Sequence, residues 1–464
     1  MIDLSHLRGK TIAVLGLGKS GLASVKALIN AGAIVWAWDD NPDGRGLLEP
    51  LGLAPVNLAQ CDWSEPDMLV ISPGIPSTFP TPHPAAEKAR RAGTPIICDV
   101  ELLCTALPDV PSLAITGTNG KSTTTALTAH ILDRAGIKTQ AGGNLGYPAL
   151  GFDPATVDDC LVLELSSYQL ELLRDAAFDA SALLNITPDH LDRHGGMDGY
   201  IGAKRLIFAR NKGPKWAIIS VDDDICARMA EELAREGGRR VIEVSVHKPA
   251  PHGIYVDNGW LIDDLSGAQT RIMDLVTVSH MPGIHNWQNI AFAYALCRAR
   301  GVDATRIIDG IMTFPGLAHR QERLGDVNGV TFVNDSKATN AEATAKALSA
   351  YRDIYWILGG KPKEGGIAGL HAFYPQIKKA YLIGAAADAF ADSLGNDLPW
   401  QKCETLDRAT KAAFADAKSA GLDNPVILLS PACASFDQFK SFEARGDAFR
   451  DLYTQLAKAA QEPA

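Results

Sequence analysis

Short apolar runs, each followed by a turn and a helical stretch, recur along the N-terminal part of the chain. The first run is Thr11 to Leu15, and the segment after its glycine-rich turn has a helical pattern until about Gly32. Further strands are predicted at Ala33 to Trp38 and at Met68 to Ser72. Strands that are apolar throughout are buried on both faces, so this alternation predicts a parallel, doubly wound sheet of the Rossmann type.

The pattern is interrupted by prolines at 108 and 111, which indicate a linker, and then resumes. The next segment predicts a helix from Lys121 to Ala135 and a hairpin about the turn Asp257-Asn258-Gly259, peripheral to a parallel core. The strands predicted for that core are Leu113 to Thr116, Cys160 to Leu165, Ala182 to Ile186 and Trp216 to Val221.

A third α/β region begins after Phe314-Pro315-Gly316. Its predicted strands are Val330 to Val333, Ile354 to Leu358, Lys379 to Ile383 and Pro425 to Leu429. A chain of 464 residues exceeds the size at which one hydrophobic core stops growing. We therefore predict three domains: a Rossmann-like domain at 1–108, a central P-loop ATPase-type parallel sheet at 109–313, and a second Rossmann-like domain at 314–464.

Composition narrows the class of protein. Hydrophobic residues make up 46% and charged residues 21%, which are ordinary globular values. A net charge of −10 argues against a nucleic-acid-binding surface. The charged start and the lack of any apolar run near 18 residues predict a cytoplasmic protein with no membrane span. The eight cysteines show no CxxC spacing, so we expect reduced, mostly buried thiols.

The clearest candidate for chemistry is the loop between the first central strand and its helix. It reads Gly117, Thr118, Asn119, Gly120, Lys121, Ser122 and Thr123. Such a loop supplies backbone N–H groups and an ammonium for the phosphates of ATP, and a hydroxyl for Mg²⁺. It departs from the Walker spacing, because Ile115 stands where that pattern has its first glycine.

With the preceding Thr116, this loop resembles the ATP loop of the Mur ligase superfamily. The resemblance extends over nearly the whole chain, through segments 163–170, 185–193, 334–340 and 430–439. These segments resemble the members that add D-glutamate to UDP-N-acetylmuramoyl-L-alanine in peptidoglycan precursor synthesis. The resemblance implies a monomeric enzyme acting on these small molecules, with ATP and two Mg²⁺ ions, and without nucleic-acid or membrane partners.

The resemblance also implies roles in ATP activation. Lys121, His190, Lys204 and Arg320 are the expected catalytic residues, and Asn286, Asn289, Arg320 and Asp335 are expected to bind ATP together with the loop. The expected metal ligands are Ser122, Glu164, His190 and Lys204, the last as a carbamate. Glu164 closes a predicted strand, where an open parallel sheet presents ligands. A loop histidine or helix-face lysine alone would more often be a surface residue.

The N-terminal glycines at 16, 18 and 21, with Asp39 about 20 residues further on, fit a dinucleotide fingerprint. Taken alone, that motif would predict an NAD-dependent oxidoreductase. The same turn can hold any diphosphate, and in the resembled family this domain binds the UDP-linked substrate. The residues expected to bind it are Gly18, Ser20, Asp39, Ser72, Gly74, Asn144, Ser166 and Gln169. Asn41 stands where some relatives have arginine, which leaves the uracil contacts open.

The expected D-glutamate site lies in the third domain. By the same resemblance it comprises Thr339, Lys363, Ser435 and Phe442, with Lys361 as an alternative to Lys363. A dicarboxylate needs cations and hydroxyl groups, which this set supplies. The alternatives are an NAD-dependent oxidoreductase, a nucleotide-binding regulatory module, and a sibling ligase that adds another amino acid. The first leaves the central loop unexplained, and the second has no use for Glu164 with His190 and Lys204.

Overall fold

The computed structural model describes residues 2–144, 146–209, 211–362 and 365–461. The chain forms two compact units. One comprises Met1–Val278 with Asn286–Phe314, and the other Ser279–His285 with Pro315–Ala464. The first unit contains two sheets and the second unit one, and all three sheets are predominantly parallel.

The N-terminal sheet has four parallel strands in the order β2-β1-β3-β4. Its strands are β1 (Thr11–Leu15), β2 (Ile34–Trp38), β3 (Met68–Ile71) and β4 (Ile96–Ile97). Its helices are α1 (Lys19–Ala31), α2 (Pro42–Gly46), α3 (Pro84–Ala92) and α4 (Asp99–Ala106). The direction of strand succession reverses between β1 and β3, so the loops that follow these two strands flank a crevice of the kind that binds ligands in doubly wound folds.

The central sheet has nine strands in the order β13-β12-β11-β10-β9-β8-β5-β7-β6. Its strands are β5 (Ser112–Thr116), β6 (Thr139–Gly143), β7 (Cys160–Glu164), β8 (Phe178–Leu183), β9 (Asn211–Ser220), β10 (Arg239–Ser245), β11 (Ile254–Asp257), β12 (Trp260–Asp263) and β13 (Thr270–Asp274). The helices are α5 (Lys121–Arg134), α6 (Ser167–Glu171), α7 (Leu191–His194), α8 (Met197–Arg205), α9 (Asp224–Glu236), α10 (Ile284–Ala299) and α11 (Ala304–Thr313). Strand β5 lies between β7 and β8 and is parallel to both, so the carboxyl ends of all three meet at one edge.

The second unit contains a six-stranded sheet in the order β14-β15-β19-β16-β17-β18. Its strands are β14 (Glu322–Val327), β15 (Val330–Asn334), β16 (Ile354–Gly359), β17 (Ile377–Ile383), β18 (Trp400–Glu404) and β19 (Val426–Leu429). The helices are α12 (Ala341–Ala350), α13 (Ala387–Leu394), α14 (Leu406–Ser419) and α15 (Phe442–Gln461). Among the described strands of this sheet, β14 pairs antiparallel with β15 and the other pairs are parallel.

The N-terminal and central sheets share one hydrophobic core, which extends from Ile2 to Leu233. A buried carboxylate adds a polar connection between them. Glu101 of α4, 4% exposed, accepts hydrogen bonds from the backbone N–H groups of Arg174 (2.9 Å), Asp175 (2.7 Å) and Ala176 (3.1 Å). Three such bonds to one carboxylate satisfy its charge without a cationic partner. The two sheets therefore belong to one compact unit.

The predicted fold class is confirmed, since each of the three regions is an α/β layer around a largely parallel sheet. The predicted hairpin is the antiparallel pair β11 and β12, near one edge of the central sheet. Two strands differ from their predicted bounds by three residues or more. The strand predicted at Ala182 to Ile186 spans Phe178–Leu183, and the one predicted to begin at Trp216 begins at Asn211. The domain limits at 108 and 313 stay predictions.

Among the described residues no disulfide joins any of the eight cysteines, and seven of them are buried, as expected. Within the described ranges, no helix combines the length and the apolar character that crossing a bilayer requires.

Candidate active site

The phosphate loop connects β5 to α5 at the edge where β5, β7 and β8 end. Gly120 lies at the N-terminus of α5 with φ +86°, a left-handed conformation that favours glycine. A Cβ atom at this position would lie 2.5 Å from Oδ1 of Asn289. The loop therefore requires glycine here both for its backbone conformation and for the close approach of α10.

Residues after β8 brace the loop from one side. The side-chain amide of Asn185 accepts from the N–H of Asn119 (2.8 Å) and donates to its carbonyl oxygen (3.2 Å). The Thr118 hydroxyl donates to the Thr187 carbonyl (3.1 Å) and accepts from the Thr187 N–H (3.0 Å). Its remaining lone pair accepts from the hydroxyl of Tyr200, 3.0 Å away. The loop is thus held in shape by the polypeptide itself.

Two lysine side chains approach the same carbonyl group of this loop. Lys121 Nζ donates to the Gly117 carbonyl at 2.8 Å, and Lys204 Nζ donates to the same oxygen at 2.9 Å. Lys204 is only 2% exposed, which excludes a surface role for this helix residue. Burial, and to a lesser degree the charge of Lys121, lowers the pKa of the Lys204 amine to about 7. An amine with this pKa is largely unprotonated slightly above neutral pH and can act as a nucleophile.

Glu164 ends β7, next to the strand that leads into the phosphate loop, and is 2% exposed. Its Oε1 accepts from the side-chain amide of Asn144 at 2.9 Å, and the Asn144 N–H donates to the Glu164 carbonyl at 2.8 Å. A buried carboxylate with an oriented lone pair is a suitable ligand for a hard cation. Among the described residues, no three His, Cys, Asp or Glu side chains come together as a metal site.

His190 lies in the turn before α7 with φ +53°, and its side chain is half exposed. Its Nε2 is 3.4 Å from the carboxylate of Asp189. Its ring centroid lies 5.2 Å from that of Tyr168, which in turn stacks on His194. Lys204 Nζ lies 4.8 Å from the centre of the Tyr200 ring, whose centroid is 5.5 Å from that of His194. The contacting rings of Tyr168, His194 and Tyr200 thus link His190 to Lys204.

The N-terminal residues expected to bind the UDP-linked substrate lie mainly in loops after β1, β2 and β3. Gly18 and Ser20 are at the start of α1, and Ser72 and Gly74 follow β3 across the crevice. The Asp39 carboxylate accepts from the N–H of Leu17 at 2.6 Å, which ties the end of β2 to the glycine turn. The Ser72 hydroxyl donates to the Gly16 carbonyl at 3.1 Å.

The two asparagines expected at adenine begin α10. Asn286 is 8% and Asn289 4% exposed, so neither is simply a solvated helix start. Asn289 donates from Nδ2 to Asn286 Oδ1 (3.2 Å) and accepts at Oδ1 from the Thr124 hydroxyl (3.2 Å). Together with the close approach to Gly120, these bonds show that Asn289 supports the phosphate loop and α5.

In the second unit, Asp335 is 6% exposed, and its carboxylate accepts from the Ser430 hydroxyl (2.8 Å) and the Gln321 N–H (3.2 Å). Burial raises the pKa of this carboxyl to about 7, partly offset by these bonds and by the charge of Arg320. Ser435 is 2% exposed and its Oγ has no hydrogen-bond partner among the described residues. A buried hydroxyl of this kind needs an explanation, and a bound ligand would provide one.

Comparisons with known proteins agree over the whole chain. Residues 115–297 match the family model for the Mur ligase middle domain, and residues 319–433 match that for the Mur ligase glutamate ligase domain. The UDP-N-acetylmuramoylalanine–D-glutamate ligase of Rhodospirillum rubrum is 48% identical over 470 residues, covering 100% of this chain and 98% of its own. The chain belongs to the Mur ligase family. The ligase of the same name from Mesorhizobium japonicum is also 48% identical, over 98% of each chain.

Solved structures of other Mur ligases have the same fold. The crystal structure of UDP-N-acetylmuramate-alanine ligase MurC from Thermotoga maritima matches with a TM-score of 0.59 at 17% identity, over 96% of this chain and 99% of that one. MurF from Acinetobacter baumannii matches with a TM-score of 0.57 at 19% identity, over 77% and 79% of the two chains.

Two of the residues predicted to bind substrate in this Mur ligase have a local structural role. Ser166 caps α6, its hydroxyl accepting from the Gln169 N–H at 3.2 Å, while Oε1 of Gln169 accepts from the Ser166 N–H at 3.0 Å. This reciprocal capping box leaves the Gln169 side chain 1% exposed. The Ser-x-x-Gln spacing could have indicated it from the sequence.

The structure describes three of the four residues expected to bind D-glutamate in this Mur ligase. Lys363 lies outside the described residues, and the alternative, Lys361, has its backbone N–H bonded to the Ala434 carbonyl (2.9 Å). Thr339 is partly exposed after β15, and Phe442 begins α15. The Phe442 ring lies 3.9 Å beneath the ammonium of Lys337. Lys337 was not among the residues expected to bind a substrate.

Proposed function

We propose that this chain joins D-glutamate to UDP-N-acetylmuramoyl-L-alanine with the hydrolysis of ATP, in the synthesis of peptidoglycan precursors. The observation that carries the proposal is the edge of the central sheet, where Lys121 and Lys204 contact one phosphate loop and Glu164 ends the adjacent strand. The identity of nearly one half with ligases of that name, over whole chains, supports the choice of substrates.

The proposed reaction proceeds in two steps. The L-alanyl carboxylate attacks the γ-phosphorus of ATP, forming an acyl phosphate and releasing ADP. The amine of D-glutamate then attacks the acyl carbon, a proton leaves the nitrogen, and inorganic phosphate departs as the amide forms. Lys121 would stabilise charge on the transferred phosphoryl group from the loop, and Arg320 would add a second cation.

Magnesium ions, when bound, would neutralise phosphate charge and orient the γ-phosphoryl group. The residues present fit such ions, because Glu164 offers a buried carboxylate and Ser122 a hydroxyl at the start of α5. The amide N–H of Asn144 holds the Glu164 carboxylate in one orientation. We assign a second ion to His190 and to Lys204 in its carbamate form.

The carbamate would form by addition of the neutral Lys204 amine to CO₂, with a new N–C bond and loss of one amine proton. Burial of this amine and its pKa of about 7 favour the reactive form. Incubation with ¹³C-bicarbonate should give a protein carbamate signal in the ¹³C NMR spectrum that is absent in Lys204→Met and retained in Lys138→Met, an exposed control. Identical spectra for the wild type and Lys204→Met would contradict the assignment.

Each of the three proposed ligands is assigned to loops that follow the strands of a different sheet. We assign the UDP moiety to the loops after β1, β2 and β3, ATP to the central loop with Asn286, Asn289, Arg320 and Asp335, and D-glutamate to the loops after β15, β16 and β19. The Ser435 hydroxyl, which has no hydrogen-bond partner in the described part of the chain, supports the last assignment. We also propose a monomer that acts in the cytoplasm, which light scattering and cell fractionation would test.

The deciding experiment is phosphate release with ATP, UDP-N-acetylmuramoyl-L-alanine and a panel of amino acids. We expect turnover with D-glutamate and little with L-glutamate, L-lysine or meso-diaminopimelate. Lys121→Met should be inactive, while Lys138→Met, on the exposed side of the same domain, should match the wild type. Turnover with another amino acid but not with D-glutamate would instead establish a sibling ligase.

A further inference from the structure

A buried histidine beside the phosphate loop is hydrogen-bonded at both ring nitrogens. His194 ends α7 and its side chain is fully buried. Nδ1 lies 3.1 Å from the Glu171 carboxylate and Nε2 lies 2.9 Å from the Ser167 hydroxyl. Both partners belong to α6, the short helix that follows Glu164. The ring is therefore fixed in orientation as well as in place.

The chemistry of these partners fixes the proton positions. A carboxylate only accepts hydrogen bonds, so Nδ1 carries a hydrogen and donates to Glu171. In the neutral ring, Nε2 then accepts from the Ser167 hydroxyl. The hydrogen bonds run from serine to histidine to glutamate, as in the catalytic triads of hydrolases. Ser167, however, is only 3% exposed and occupies the first position of α6. No substrate can reach this hydroxyl, so the arrangement orients the imidazole instead of activating a nucleophile.

The oriented imidazole contacts two tyrosine rings. Tyr168 stacks on it with centroids 5.3 Å apart and an angle of 24°, and Tyr200 lies 5.5 Å away at 48°. The Tyr200 hydroxyl bonds to Thr118 of the phosphate loop, and its ring lies below the Lys204 amine. A rotation of the imidazole would therefore displace the hydroxyl that completes the bonding of Thr118.

We infer that His194, held by Glu171 and Ser167, is a positioning residue that sets the Tyr200 hydroxyl against Thr118 and so fixes the phosphate loop for ATP. This role rests on the proposed function, because ATP is the ligand that the loop receives. His194 acts through Tyr200 and touches no reacting atom. If His194 only filled space, the effect of replacing it on nucleotide affinity would not depend on whether the Tyr200 hydroxyl is present.

The test combines kinetics with direct nucleotide binding. His194→Phe keeps an aromatic ring and loses both hydrogen bonds, while His194→Gln can keep the bond to Ser167. We expect the KM for ATP and the Kd for ADP by calorimetry to rise about tenfold in His194→Phe, the size of effect of one lost hydrogen bond. His194→Gln should fall in between, and the KM for D-glutamate should not change. His247→Phe, at an exposed histidine of the same unit, should match the wild type.

A double-mutant cycle with Tyr200→Phe tests whether His194 affects nucleotide binding through the Tyr200 hydroxyl. Tyr200→Phe removes only the hydroxyl, so combining it with His194→Phe should add little further loss in ADP affinity. Additive losses, or a lower unfolding temperature with unchanged nucleotide affinity, would refute the inference. If His194→Phe does not fold, Ser167→Ala replaces it in the same cycle. Lack of turnover in the wild type would refute the proposed function alone, because the ADP measurements still test the positioning role.

Discussion

The phosphate loop offers a matched pair of glycines that separates backbone strain from steric contact. Gly120 and Gly136 stand at opposite ends of α5 with nearly equal φ values of +86° and +85°. An added Cβ at Gly120 would meet Asn289 Oδ1 at 2.5 Å and Leu184 Cδ1 at 3.3 Å, whereas at Gly136 it would meet nothing within 4 Å. The two alanine substitutions therefore differ mainly in the atoms that the added methyl group would contact.

The expected magnitudes follow from these contacts. Both substitutions force a residue with a Cβ into the left-handed region, which costs about 1–2 kcal/mol. Only Gly120→Ala also displaces the Asn289 amide, which accepts from Thr124 and donates to Asn286. A buried polar group left without its partner costs about 1–3 kcal/mol. We expect Gly136→Ala to lower the free energy of unfolding by about 1–2 kcal/mol and Gly120→Ala by about 2–5 kcal/mol.

Urea denaturation and the KM for ATP together test this reasoning. In Gly120→Ala the KM for ATP should rise by at least about tenfold, which corresponds to about 1.4 kcal/mol, because the loop changes shape. In Gly136→Ala the KM for ATP should remain that of the wild type. If both variants lose equal stability and keep the same KM, the contact with Asn289 does not shape the loop, and the reasoning fails.

Three further substitutions test separate parts of the site. Asn144→Ala removes the donor that orients Glu164 and should raise the Mg²⁺ concentration for half-maximal activity about 10- to 100-fold; an unchanged requirement would argue against Glu164 as a ligand. The pKa of Asp335 is about 7 in the folded chain and 3.8 is its ordinary value, so the folded state binds more protons between these values and its stability falls as pH rises. Urea titrations should therefore show Asp335→Asn gaining stability relative to the wild type from pH 4 to 7, and a gap that does not vary with pH would contradict this. Ser435→Ala removes a buried hydroxyl without a partner, so it should raise the KM for D-glutamate about tenfold without lowering the unfolding free energy, and an unchanged KM would remove Ser435 from that site.

The sequence predicted those strands whose residues are apolar on both faces. It did not predict β18, whose burial alternates little and whose residues are mostly exposed, because an edge strand has no continuous apolar run. Strands β6 and β14, which also form sheet edges, were not predicted either, and most of their residues are only partly buried. The C-terminal boundary of β8 was misplaced because Leu184, Ile186 and Thr187 are apolar or β-branched and so continue the strand pattern. In the structure, Asn185 and Thr187 bond to the phosphate loop instead.

Site residues that are neighbours in the chain could be predicted from the sequence. Contacts between residues that are distant in the chain could not. The loop from Gly117 to Thr123 has its own signature, and Glu164 was recognisable as a strand end. Burial of Lys204 depends on contacts 87 residues away, and the bond from Thr124 to Asn289 joins positions 165 residues apart. A periodic pattern within one helix contains no information on such partners. Resemblance to a family, and not spacing, supplied those residues.

The carboxylate of Glu101 has a practical consequence for dividing this chain. Its three acceptor bonds connect the N-terminal sheet to the segment before β8, and the apolar core continues across the same boundary. A fragment that stopped at the proline-rich segment near residue 108 would expose this core and leave a charged group without its donors. Fragments for ligand screening or crystallisation are therefore better ended near residue 314, so that the regions assigned to the nucleotide and to the UDP-linked substrate are expressed as one piece.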